Sequence, residues 1–124
     1  MTSNQQIEFL ESDLGGLESV WKSGIDRAYG FYRRRAAPRV ALAAALVEGA
    51  VSLQRLGGAA PDPLPLLLGD LCLARASRLL AELGDQRLQI GFARAVEKVA
   101  AAAVGGPDVP ALRDLLLACI EERP

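Results

Sequence analysis

One stretch, residues 66–85 (LLLGDLCLARASRLLAELGD), limits this chain to helical architectures. Leu66, Gly69, Leu73, Ala76, Leu80 and Leu83 recur at three- and four-residue steps, the spacing of one stripe along an α-helix. A glycine inside a helix costs about 1 kcal/mol relative to alanine. Gly69 in such a rod therefore marks a place where another backbone comes close. Arg78 and Glu82 fall at i and i+4 and can pair, and Gly84 has the position of a C-terminal cap.

The surrounding composition fits helices that pack through small side chains. Hydrophobic residues make up 51% of the 124 residues but aromatics only 5%, so the apolar content is mostly Ala, Leu and Val. The length suffices for one domain with a core. Residues 5–22 carry Ile7, Leu10, Leu14, Leu17 and Trp21 at amphipathic spacing, with Gly15-Gly16 placed to break the helix in two. Residues 25–36 set Ile25, Ala28, Tyr29 and Tyr32 on one side. In residues 39–56, Val40, Ala44, Val47 and Val51 make one apolar row and Leu42, Leu46, Gly49 and Leu53 another. Glu48, Ser52 and Arg55 form a polar strip on that rod, which reads as its solvent face or, functionally, as the wall of a cleft.

Residues 57–65, GGAAPDPLP, read as a loop, and Pro63 and Pro65 suit the first turn of the next helix. Residues 85–104 give a fifth helix with Leu88, Phe92, Val96, Val99 and Ala103 buried. Gly105-Gly106-Pro107 stops it, and Asp108 caps a sixth in which Leu112, Leu115, Leu116 and Cys119 face inward. Short connections imply antiparallel neighbours. The expectation is a single all-α domain over residues 1–124, a bundle of about six helices, with N-terminal helices in 1–38 and the remainder in 39–124.

Several function classes are disfavoured at once. The net charge of −1 gives no global attraction to nucleic acid or to an anionic membrane. No charge-free run exceeds nine residues, against the roughly 20 apolar residues of a membrane span. The polar, acidic N-terminus MTSNQQIEFLE is unlike a signal peptide, and Cys72 and Cys119 read as buried thiols, so a cytoplasmic location is expected. With no histidine, the commonest general base and metal ligand is missing. The chain also lacks a CxxC pair, a GxxxxGK[ST] loop and a GxGxxG fingerprint. An enzyme in its own right would have to lean on Glu48, Asp62 and Asp70, of which Asp62 sits in turn-like sequence.

Residues 66–85 resemble a helix of the trans-isoprenyl diphosphate synthases, whose members carry a stretch of the form LAGDxLLARAxxLLAE. Upstream, VSLQRLG at residues 51–57 is similar in character to the ASLIHDD stretch that leads into the family's first aspartate-rich motif. The resemblance spans residues 39–104 and implies a truncated isoprenoid-synthase-like fold. The family's reaction needs clustered aspartates, because Mg²⁺ takes oxygen ligands and must neutralise a diphosphate as it leaves. Here Leu56 and Gly57 stand where the first cluster begins, and no Asp-Asp pair occurs in the chain.

A short, aspartate-depleted relative resembles the small, non-catalytic component of two-component hexaprenyl or heptaprenyl diphosphate synthases. That resemblance implies a catalytic large subunit as partner, which would hold Mg²⁺ and the isoprenoid diphosphate. It also implies a role in setting prenyl chain length for menaquinone side chains, with no catalytic or metal-binding residue in this chain. Gly69, Leu73, Ala76 and Leu80 are then the interface candidates, since family members associate through helices in this region. The family's KRxRP motif has an echo in Arg33-Arg34-Arg35-Ala36-Ala37-Pro38. Arg33, Arg34, Arg35 and Arg39 are accordingly candidate contacts for a diphosphate or an acidic partner, beside the plainer reading of cations at a helix C-terminus. The alternative is a homodimeric helical adaptor unrelated to prenyl transfer.

Overall fold

A computed structural model describes residues 15–59, 63–101 and 109–121, and all of its regular structure is helical. A turn at residues 15–17 leads into α1 (Glu18–Val20), a π-helical turn (Trp21–Ile25) and α2 (Asp26–Arg33). Then follow α3 (Pro38–Ala59), α4 (Leu64–Glu82), α5 (Gln86–Ala101) and α6 (Val109–Glu121). The break expected at Gly15-Gly16 falls at that first turn. Ile7, Leu10, Leu14, Ala103 and Asp108 lie outside the described residues.

The centre of the molecule is α3. Its residues Val40 to Val47 are buried without interruption, so every side of the helix is covered. A helix that is apolar all round belongs inside. The alanines at 41, 43, 44, 45 and 50 let neighbours approach closely. Helix α4 packs along most of α3, α2 lies across its first half, and α6 reaches it as well. The anticipated faces of the N-terminal segments are in place: Leu17, Trp21, Ile25, Ala28, Tyr29 and Tyr32 are all buried.

Three local features differ from the sequence reading. First, α3 runs on to Ala59, through Gly57 and Gly58, where a loop was expected. Two glycines weaken a helix by about 2 kcal/mol together, which the preceding turns can carry. Second, the chain changes direction at Gly24, whose φ of 136° is open to glycine and closed to most side chains. That bend lays Ile25 over α3 so tightly that a Cβ on Gly49 would stand 2.7 Å from it. Third, the buried line of α4 is rotated from the expected stripe. Gly69, Cys72, Ala76, Leu79 and Leu80 are buried, whereas Leu66 and Leu83 are exposed.

The corner between α4 and α5 is closely specified. Gly84 takes φ 72°, its N–H donates to the Ala81 carbonyl, and that of Asp85 donates to Leu80. This is a Schellman stop, as the position of Gly84 predicts. Asp85 then caps α5 by accepting from the Leu88 N–H at 3.0 Å, an interaction typically worth about 1 kcal/mol. Pro63 and Pro65 stand at the N-cap and in the first turn of α4. Leu88, Phe92 and Val99 are buried in α5, and Leu112, Leu116 and Ile120 in α6.

Candidate functional site

Two places collect chemistry, and the first is polar. Glu48, expected on a solvent-facing strip, is 6% exposed. A buried carboxylate needs partners, and it has three bonds. Arg113 of α6 donates Nε to Oε2 at 2.9 Å and Nη2 to Oε1 at 2.8 Å, a fork matched to a carboxylate. The Tyr32 hydroxyl donates a further bond to Oε2. The Arg113 guanidinium also lies 4.3 Å from the centre of the Phe31 ring, and Arg35 lies 4.1 Å from it. Ser52, the next member of the expected strip, is exposed as predicted, and the Arg55 side chain lies outside the described residues.

Burial, then the hydrogen bond to Glu48 and its charge, push the Tyr32 hydroxyl well above the ordinary tyrosine range; Arg113 opposes them. Glu48 likewise raises the Arg113 guanidinium through its hydrogen bonds, against the cost of desolvation. The group is thus a protonated phenol and an ion pair whose carboxylate is already engaged. It clamps α2, α3 and α6 together. The small cavity beside it, about 160 Å³, adds Gly24, Ile25, Ala28, Gly49, Ser52 and Leu53 to the Glu48 side chain.

The second place is apolar. Helices α4 and α5 diverge after their corner and leave a groove of about 460 Å³, with Val47 of α3 in its lining. Leu73, Ala76 and Leu80 line one wall, and Ile90, Phe92, Ala93 and Val96 the other. Among the described residues no charged side chain lines it. Ser77 and Gln89 supply the polar contribution, with Gln89 Nε2 donating to Ser77 Oγ at 3.1 Å. Ile90 is 51% exposed there, and the volume is in the range of small-molecule and side-chain docking clefts.

The close approach inferred at Gly69 is real, and the neighbour belongs to the same chain. A Cβ on Gly69 would stand 3.2 Å from the Ala50 carbonyl oxygen and 3.1 Å from Gln54 Cγ. Of the four interface candidates, Gly69, Ala76 and Leu80 are buried within this chain, where α3 and α4 meet, and Leu73 is half-buried. Ala76 and Leu80 also show part of their surface to the groove, so Leu73, Ala76 and Leu80 share it while Gly69 does not.

The arginine run has local partners. Arg33 Nη1 donates to the Ala36 carbonyl at 3.3 Å, and Arg35 Nη1 to the Phe31 carbonyl at 3.0 Å, which caps the end of α2. Arg39 pairs with Glu82 at 3.6 Å, and Arg78 also reaches Glu82 at 3.8 Å, as their spacing predicts. Arg34 is exposed. The four do not converge on one point.

Asp70 is exposed on α4, and Asp62 lies outside the described residues. Among the described residues no group of three or more carboxylate or thiol side chains is placed to share a metal ion. Cys72 is buried and Cys119 half-buried, both as free thiols. Burial pushes the Cys72 thiol up to about 11, and the nearby charge of Arg75 acts the other way. Among the described residues no helix is long and apolar enough to cross a membrane.

Sequence reasoning missed Arg113 and the groove. A signal for the first existed: Glu48 is the lone acid on an otherwise apolar helix, and a buried acid demands a cation somewhere. The groove has no such signature, because it depends on how far two helices diverge. Comparison with protein-family models, curated proteins and solved structures finds no match in any of the three.

Proposed function

We propose that this chain is a non-catalytic helical subunit that pairs with the catalytic large subunit of a polyprenyl diphosphate synthase and helps set prenyl chain length. The resemblance of residues 66–85 supplies the enzyme class. The observation that carries the pairing is the groove of about 460 Å³ flanking that same helix, lined by no charged side chain among the described residues, with Ile90 half-exposed in it. Apolar surface left open in this way gains free energy when a partner covers it, about 25 cal/mol per Å². Mg²⁺ and the isoprenoid diphosphate belong to the partner, where clustered aspartates can hold them. In this reading the large subunit inserts apolar side chains between α4 and α5, and α3 stays enclosed.

Mixing the protein with the prenyltransferase large subunit of the same organism tests this. Co-elution and a change in elongation activity or product length are expected. Ile90→Glu should weaken the complex at least roughly 10-fold, because a carboxylate would be buried without a partner. If the wild-type chain neither binds nor alters the products, the proposal fails. The homodimeric adaptor uses the same groove with a second copy. A stable dimer of the pure protein in light scattering, with indifference to the large subunit, would favour that reading instead.

A further inference from the structure

Helix α4 is covered by α3 on one side and borders α5 across the groove, and no other described helix packs along it. Its outward face holds Leu67, Asp70, Ala74, Arg78 and Ala81 at three- and four-residue steps. All five are exposed, Leu67 at 61%. The charges on this face are unevenly served. Glu82 has two cations, Arg39 at 3.6 Å and Arg78 at 3.8 Å. Asp70 has none among the described residues. Arg78 is thus free to turn to another acid while Glu82 keeps Arg39.

We infer that this face binds a second copy of the chain, with the two α4 helices antiparallel about a twofold axis at Ala74. Asp70 and Arg78 stand on either side of Ala74, each roughly 6 Å from it along the helix. An antiparallel copy centred there brings Asp70 of each chain level with Arg78 of the other, so both acids gain a cation at once. Leu67 and Ala81 are likewise equidistant from Ala74, so each exposed leucine is covered by a small side chain of the other copy. A parallel pair would set Asp70 on Asp70 and Arg78 on Arg78. An antiparallel pair centred one turn away would leave the charges unmatched. Charge therefore selects both direction and register. The surface is one helix face, smaller than a standard interface, so the association is weak and concentration-dependent. It lies on a different flank from the groove and does not rest on the pairing proposed above.

Sedimentation velocity of the full chain, from about 10 µM to about 1 mM, should show a reversible equilibrium between monomer and dimer. Asp70→Arg should weaken it at least roughly tenfold, because guanidinium then faces guanidinium, and adding Arg78→Asp should restore it to within about threefold. Ile90→Glu, in the groove, should leave it unchanged. Disulfide trapping reads the register in a Cys72→Ala, Cys119→Ala background shown to fold by circular dichroism. Ala74→Cys lies on the axis and should link two chains at several times the yield of Leu67→Cys, whose two copies stand roughly 20 Å apart. A chain that stays monomeric throughout, a double exchange that fails to restore association, or equal linking at 74 and 67 overturns the assignment. A dimer lost with Ile90→Glu but not with Asp70→Arg overturns it too, and places the second copy in the groove.

Discussion

The seam between α3 and α4 and the seam between α4 and α5 are built from similar residues and end in opposite states. At the first, Gly69 meets the Ala50 carbonyl, and the neighbouring alanines let two helices close on each other along most of their length. At the second, Ala76 and Ala93 are equally small, yet the helices part and the missing volume becomes a groove. Small side chains confer tight packing only where the backbones follow each other. Where they diverge, the same residues leave space. Stability is therefore concentrated at the first seam, and the second is the place that has surface to offer.

Gly69→Leu tests the closed seam hardest. Its Cβ meets a backbone carbonyl rather than a yielding side chain, so about 3 kcal/mol of stability or more should be lost in urea unfolding. A loss below about 1 kcal/mol would show that the seam can open. Arg113→Ala should cost about 2–3 kcal/mol, because it leaves the Glu48 carboxylate buried with Tyr32 alone; thermal melts would read this directly.

Alkaline titration probes the same interior. The Cys72 thiol, raised to about 11, keeps its proton in the native state after the unfolded chain has released its own. Stability is then full below about pH 9 and falls by about 2 kcal/mol as the pH rises through 11. Tyr32, also raised, adds to the loss above pH 10. Cys72→Ala should remove the first part of that decline, and a melting curve that stays flat from pH 8 to 11 would contradict it. On the open seam, Ala93→Leu should change stability by no more than about 0.5 kcal/mol, because the added atoms enter empty space. A loss comparable to that of Gly69→Leu would mean that the groove is not open.

Much of the closed seam was legible in the sequence. Gly69 announces a close approach by its cost, Gly84 announces a stop, and the row Ile25, Ala28, Tyr29, Tyr32 announces a buried face. All of these signals are local. Glu48 was misplaced because Glu48, Ser52 and Arg55 look like a solvent strip at helical spacing, while the cation that permits burial lies 65 residues further on. The bend at Gly24 was also hidden, since a lone glycine between Lys22 and Ile25 gives no sign that its φ is positive. Rotation of the α4 stripe toward Cys72 and Leu79 depends on where α3 lies, which periodicity alone does not fix.

The Arg113 fork has a kinetic meaning as well. Helices α2, α3 and α4 are consecutive and meet mostly through short connections, so they can assemble while little chain entropy is lost. The contact from α6 to Glu48 closes a far longer loop. Amide exchange should accordingly find α6 opening as a unit of its own, ahead of α3, and reforming last. The molecule would then be a three-helix nucleus carrying a late latch, with the groove lying between that nucleus and α5, the helix that leads to the latch.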